Sequence, residues 1–308
     1  MQKQSRKRLW FILKLVFTLA SIAWCVHVID LEKVRQLLHN ADRQLLAWLV
    51  PLVVLQIAGG ALRFKYMVDP HFSMSYLQHL RQYFIANYFN LILPSSIGGD
   101  AVRVFLLDKQ GLSKTRAATY IFSERLMGLY SLVLIALSAG FAVSLSDDIH
   151  ILAITLTMLS AVSLTAFPLL MYITRNTRQP QVVAAREALK GLWSDKARLA
   201  GTVALSLVYQ LLTVSFTLLV ARAFHLDVSL MMLLALVPLV WLVTFLPISF
   251  GGLGVREVSF IGLFTQVGLS SEQAIFLSLG TYAAMLLAGM LGGAWTLLDA
   301  IDYRQESD

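Results

Sequence analysis

Apolar residues run in long blocks along this chain, and polar residues collect in the short gaps between them. Unbroken blocks lie near 9–29, 44–62, 118–144, 150–173, 200–224 and 272–298. Each is long enough for a helix to cross a hydrocarbon core about 30 Å thick. Two further apolar regions, 83–112 and 229–268, are broken midway by proline and glycine. Proline there removes a backbone donor, and glycine admits conformations closed to other residues, so a helix stops at such a place. The pattern predicts an all-α, polytopic membrane protein with six spanning helices. Each broken region adds a re-entrant helix hairpin that enters and leaves by the same face.

The two breaks are copies of one another. The first reads Pro94-Ser-Ser-Ile-Gly98-Gly99-Asp100-Ala-Val102-Arg103, the second Pro247-Ile-Ser249-Phe-Gly251-Gly252-Leu-Gly254-Val255-Arg256. Both fit P-x-S-x-G-G-x-x-V-R at an offset of 153 residues. A second match follows, Gly111-Leu-Ser113 with Ala117 against Gly268-Leu-Ser270 with Ala274. We therefore divide a single membrane domain, 1–308, into repeats 1–148 and 149–308. Three unbroken blocks separate the breaks, and an odd number of crossings reverses orientation. The repeat is thus expected to be inverted, an arrangement used by transporters whose broken helices meet near the midplane.

Composition agrees with the pattern. Of the 308 residues 57% are hydrophobic and only 14% charged, against roughly 25% charged in a soluble domain. Mean hydropathy is +0.70. No polar segment is long enough for a separate soluble domain. Lys3, Arg6, Lys7 and Arg8 ahead of the run from Leu9 to Ile29 resemble a signal peptide. The run is too long for one and lacks a small-residue cleavage site, so it is expected to be an uncleaved first span.

The net charge of +7 is laid out as an orientation signal. With both termini inside, 18 of the 25 lysines and arginines fall in cytoplasmic segments and 5 outside. That bias predicts a multi-pass protein of the bacterial cytoplasmic membrane with its N- and C-termini in the cytoplasm. A nucleic-acid site would need the positive residues gathered with aromatics, which they are not. The segment 174–199 is either a surface helix on anionic lipid or part of the orientation signal. One cysteine, Cys25, and six scattered histidines give no metal-ligand spacing, and no cofactor is expected.

Candidate chemistry concentrates at the breaks. A helix that starts inside the membrane presents free N–H groups and a partial positive charge. Arg103 and Arg256 are placed three to four residues into the following helices, where two such ends would form one positively biased pocket. Either they contact an anionic substrate or they snorkel to headgroups. Asp100 is expected to cap the helix that follows it. Glu124 and Arg125 lie inside a span, where charges are costly and are either paired or functional. Glu257 either neutralises Arg256 or carries a proton. Arg63 and Lys65 end the second span in the manner of cytoplasmic anchors. Gly280, Gly289, Gly292 and Gly293 should let the last span approach a neighbour closely.

Taken together, Ala-Leu-Arg-Phe-Lys (61–65), L-P-x-x-x-G-G-D-x-x-R (93–103), Glu124-Arg125 and L-P-I-S-x-G-G-L-G-x-R-E (246–257) resemble the lysylphosphatidylglycerol synthase transmembrane-region family. The resemblance runs from about residue 9 to 298. It implies movement of lipid across the cytoplasmic membrane by a flippase-like domain. The matching positions are Gly98, Gly99, Asp100, Arg103, Glu124, Arg125, Gly251, Gly252, Gly254, Arg256 and Glu257, which it marks as substrate-binding. The sequence ends soon after its last span, so the aminoacyl-transferring domain is not expected.

The expected function is translocation of an anionic phospholipid or polyprenyl-phosphate-type lipid headgroup, by a protein that is not an enzyme. An assembly of identical copies is compatible with this. One alternative is a secondary transporter of a small anionic solute. A lipid-phosphate hydrolase is the other, but Ser95, Ser96 and Ser249 have no paired-carboxylate motif beside them.

Overall fold

The long apolar runs fold into helices packed side by side in a computed structural model. It describes residues 18–25, 30–68, 72–93, 98–144, 194–244 and 251–305, together with positions 16, 27, 28, 249 and a scatter between 176 and 191. No strand occurs among them. Residues 18–25 are helical. Then come α1 (Leu31–His39), α2 (Arg43–Ala47), α3 (Leu49–Met67), α4 (Tyr76–Ile92), α5 (Gly98–Lys109) and α6 (Lys114–Ser144). After a gap follow α7 (Lys196–Ala223), α8 (Leu230–Thr244), α9 (Val255–Phe264), a 3₁₀ turn (Thr265–Val267) and α10 (Ser271–Gln305).

Four described helices are long and apolar enough to cross a membrane: Arg43–Met67, Lys114–Phe141, Lys196–Ala223 and Ser271–Thr296. They match four of the six expected spans, and the chain is a multi-pass α-helical membrane protein. Of the span at 9–29 only fragments are described, and 150–173 lies outside the described residues, as does most of 174–199.

The helices follow in the same order twice, long, intermediate, short and long, as α3–α6 and as α7–α10. The most extensive packing joins α4 to α10, α8 to α6, and α3 to α7. Each series thus lends its intermediate helix to the last helix of the other. Glycines make the α4–α10 seam: a Cβ on Gly292 would lie 2.0 Å from the carbonyl oxygen of Phe84, and one on Gly293 would meet Tyr88. With the backbones this close, Phe84 stacks on Trp295, their centroids 5.2 Å apart. Gly280 does the same against Val220 of α7. The close approach expected of these glycines is present.

Two boundaries differ from expectation. The first broken region is expected at 83–112, yet the helix leading into its break starts at Tyr76. Gln78, His79, Arg81 and Gln82 interrupt the apolar pattern, but Ser75 and Gln78 form a reciprocal capping box that starts the helix seven residues sooner. The two breaks also leave differently. α5 begins at Gly98, the first glycine of its motif. In the second copy Gly251, Gly252 and Gly254 have φ of +58°, +81° and +81°, and this left-handed turn delays α9 until Val255. Arg103 is therefore the sixth residue of its helix and Arg256 the second of its own, rather than both sitting three to four residues in. The tips Pro94–Ile97 and Phe245–Ile248 lie outside the described residues.

Candidate functional site

α3, α4, α5, α6 and α7 line a partly open cavity of about 310 Å³, together with Trp241 of α8 and Thr281, Ala284, Met285 and Ala288 of α10. Its wall is mixed: Arg63, Tyr83, Asp100, Arg103, Glu124 and Arg125 supply charge and hydroxyl, and Ile57, Ala86 and Leu132 are apolar. α5 can present its side chains here because its first turn is pressed on α4. The Gly99 N–H donates to Asn90 Oδ1 at 2.7 Å, and a Cβ on Gly99 would lie 2.3 Å from the Ala86 carbonyl oxygen. No other residue fits there, so the second motif glycine sets the height of Arg103.

Glu124 is the hub. Its Oε1 accepts from Arg63 Nη2 at 2.7 Å and from the Tyr83 hydroxyl; its Oε2 accepts from Arg103 Nη1 at 2.9 Å. All of these side chains are buried, with Arg63 6%, Arg103 5% and Glu124 4% exposed. Rings hold the cations in place. The Arg103 guanidinium lies 4.2 Å from both the Phe64 and the Tyr83 ring centroids, and Arg63 lies 4.6 Å from that of Tyr209. Cations this close to ring faces gain cation–π attraction, for which arginine is used more often than lysine.

Two cations thus share one carboxylate. Four guanidinium nitrogens, Nε and Nη1 of Arg63 and Nε and Nη2 of Arg103, are buried without a hydrogen-bond partner. Buried donors are almost always satisfied, and an unpaired one costs about 1–3 kcal/mol. Donors of this kind form strong, charge-assisted hydrogen bonds to anionic oxygens. Beside it, Arg125 Nε donates to Asp100 Oδ2. Asp100 accordingly lies within the first turn of α5 and is ion-paired there, where it had been expected to cap the helix.

The second break builds a closed cluster instead. Arg256 is 0% exposed. Its Nη2 donates to Glu257 Oε1 at 2.6 Å and its Nε to Ser278 Oγ at 3.2 Å. Its Nη1 reaches Met285 Sδ at 3.5 Å, and the guanidinium lies 4.7 Å from the Tyr282 ring centroid. The Ser278 hydroxyl donates to Glu257 Oε1 at 3.0 Å, and Glu257 Oε2 takes the Gly254 N–H at 2.7 Å. One cation meets one carboxylate, and every guanidinium nitrogen has a partner. Gly254 is held against the 18–25 helix, where a Cβ would lie 2.5 Å from Ser21 Cβ.

The eleven residues marked from the sequence therefore separate. Asp100, Arg103, Glu124 and Arg125 line the cavity, with Gly98 and Gly99 supporting them from the start of α5. Gly251, Gly252, Gly254, Arg256 and Glu257 do not line it. The single pocket expected to hold both Arg103 and Arg256 is not what the geometry gives, because the delayed start of α9 directs Arg256 onto Glu257 and α10. Conversely, Arg63 is no interfacial anchor. It turns inward to Glu124, the chemistry that an arginine at membrane depth requires. Glu124 and Arg125 pair with different partners, not with each other. Tyr83, Tyr209 and Trp241 carried no signal separable from ordinary packing; Gln56, Asn87, Asn90 and Gln210, polar residues within apolar runs, were the signal that could have found the cavity wall.

A search of curated proteins found no match, nor did one of solved structures. The family model described as lysylphosphatidylglycerol synthase TM region matches residues 11–293. That span includes both breaks and every cavity-lining residue named above, and it associates the fold with membrane lipid. The chain belongs to the lysylphosphatidylglycerol synthase transmembrane-region family.

Proposed function

We propose that this protein moves an anionic lipid headgroup across the cytoplasmic membrane through the cavity, and that it is a translocator, not an enzyme. The observation that carries the proposal is the shared hub: two buried arginines on one carboxylate, with four guanidinium nitrogens unpartnered. A phosphate oxygen can take up those donors. The surrounding rings and the Ile57 and Leu132 side chains offer an apolar path for the rest of the lipid. Membership of a lipid-associated family favours a lipid over a soluble anion.

In the same reading, the twice-repeated helix order is an inverted repeat of 1–148 and 149–308 with re-entrant hairpins, N- and C-termini cytoplasmic. Exchange of packing between α4–α10 and α8–α6 lets the two series rock against each other while the hub stays fixed. The test uses purified protein in phosphatidylcholine vesicles containing a trace of fluorescent phosphatidylglycerol, with dithionite access reporting the leaflet. Wild type should accelerate exchange between leaflets, and Arg63→Ala and Arg103→Ala should abolish most of that acceleration while the proteins stay folded. Unchanged exchange in both variants would remove the hub from the mechanism.

A further inference from the structure

The charge and donor inventory of the cavity wall goes further than "anionic". We infer that the cavity selects a headgroup of one net negative charge bearing uncharged hydroxyls, a phosphodiester-linked polyol, and rejects one that carries an added ammonium such as an aminoacyl ester. This rests on the lipid reading above and sharpens it.

Among the described residues, five charged side chains line the cavity: Arg63, Arg103 and Arg125, against Asp100 and Glu124. Three positive charges against two negative leave one positive charge to be neutralised, which matches a single phosphodiester. Neither carboxylate lacks a cation of its own: Glu124 is engaged on both oxygens by Arg63, Tyr83 and Arg103, and Asp100 is paired through Oδ2 with Arg125. An ammonium entering with the phosphate would have no carboxylate of its own among the described residues, and an uncompensated charge in a buried site is strongly disfavoured.

The remaining polar wall is neutral and suits hydroxyls. Gln56 donates its amide N–H to Thr213 Oγ1 at 2.7 Å, Asn87 to the Tyr83 carbonyl at 2.8 Å, and Gln210 to the Gly128 carbonyl at 3.1 Å. Each amide keeps its oxygen and one further N–H, so this wall can both accept from and donate to ligand hydroxyls. Trp241 Nε1, buried and without a partner, adds one donor. Amide oxygens also accept N–H donors, so hydrogen bonding alone would not exclude an amine; the charge count does.

The test compares three lipids at equal trace amounts in phosphatidylcholine vesicles containing the full chain: phosphatidylglycerol, phosphatidylethanolamine and lysyl-phosphatidylglycerol. Phosphatidylglycerol should cross at least about tenfold faster than the lysyl ester, with the zwitterion between them, because each added ammonium removes the match to one positive charge. Gln56→Glu, which adds a carboxylate to the wall, should narrow or invert the ratio; Gln210→Glu tests the same point independently. Soluble glycerophosphoglycerol serves as competitor and as radiolabelled solute. Lysyl ester moving as fast as phosphatidylglycerol in wild type overturns the selectivity inference and leaves lipid translocation standing. Uptake of glycerophosphoglycerol without movement of any lipid assigns the same chemistry to a solute transporter. Folded protein that moves neither overturns the lipid reading and this inference with it.

Discussion

Arg103 and Arg256 occupy the same place in a duplicated motif and live in different electrostatic circumstances. Arg103 reaches from α5 to Glu124 on α6, which it shares with Arg63 of α3. Arg256 folds onto its sequence neighbour Glu257. The first cluster lines a cavity and has donors to spare; the second is sealed and internally satisfied. The lesson is that a duplicated motif conserves a backbone device, the break, without conserving the job of the side chain it carries. What separates them is Gly254, where the first copy has Ala101. A third glycine in the left-handed region postpones the helix and brings the Glu257 carboxylate back to the Gly254 N–H. The sealed cluster then serves as a fixed joint between the 18–25 helix, α9 and α10.

The largest effect should come from the hubs' carboxylates. Removing one partner of a buried ion pair costs about 3–5 kcal/mol because the other is left unneutralised. Glu124→Ala strands two guanidiniums and Glu257→Ala only one, so Glu124→Ala should lose more stability when unfolding is followed in detergent micelles. Equal losses would mean that the two clusters are energetically alike despite their geometry.

Next in size is a test of closure. Arg256→Met alone should destabilise by a similar amount, about 3–5 kcal/mol, whereas a buried pair replaced on both sides by apolar groups is often neutral. The double variant Arg256→Met/Glu257→Met should therefore recover most of the loss. Lipid exchange per folded molecule should stay within a few-fold of wild type, since neither residue lines the cavity. A folded double variant that transports nothing would restore Arg256 to the substrate path.

Arg103 itself gives a smaller change in free energy but a functional one. Losing one partner of a buried charged contact to ligand costs about 2–5 kcal/mol, so Arg103→Ala should slow headgroup exchange at least about thirtyfold. Arg103→Lys should recover only part, because ammonium keeps the charge but not the fork of five donors that reaches Glu124 and a phosphate together. Full activity in the lysine variant would reduce the role of this residue to charge alone.

These contrasts show what a single sequence discloses. The break, its duplication and the all-helical membrane class were legible because proline, glycine and apolar run length act locally. Glu124 was legible as a costly charge at depth. Its partners were not: Arg63 sits at the end of a span, where anchoring and inward pairing have the same one-dimensional appearance, and only the packing of α3 on α6 distinguishes them. The sealing of Arg256 could have been suspected from the extra glycine and the adjacent glutamate, but helix onset at such a turn is set by backbone φ, which sequence shows only as permission. Tyr83 and Trp241 are aromatic residues in apolar helices, and nothing but the cavity marks them.

The gentlest perturbation addresses the relation between the breaks. Ser113 and Ser270 follow the matched helices, belong to the second matched segment, and are both exposed. In a Cys25→Ser background, cysteine at position 113 should leave stability nearly unchanged, within about 0.5 kcal/mol, and cysteine at position 270, whose hydroxyl caps α10, should cost about 1 kcal/mol. Three expected crossings, 118–144, 150–173 and 200–224, separate the two loops, so an impermeant maleimide should label position 113 only from the cytoplasm and position 270 only from outside. Opposite-side labelling places the two hairpins in opposite leaflets, and a rocking exchange of the α4–α10 and α8–α6 contacts then opens the hub to each side in turn. Labelling from one side would relate the series by an axis along the membrane normal. Both hairpins would enter from one leaflet, and the open and sealed clusters would differ in chemistry without facing different compartments.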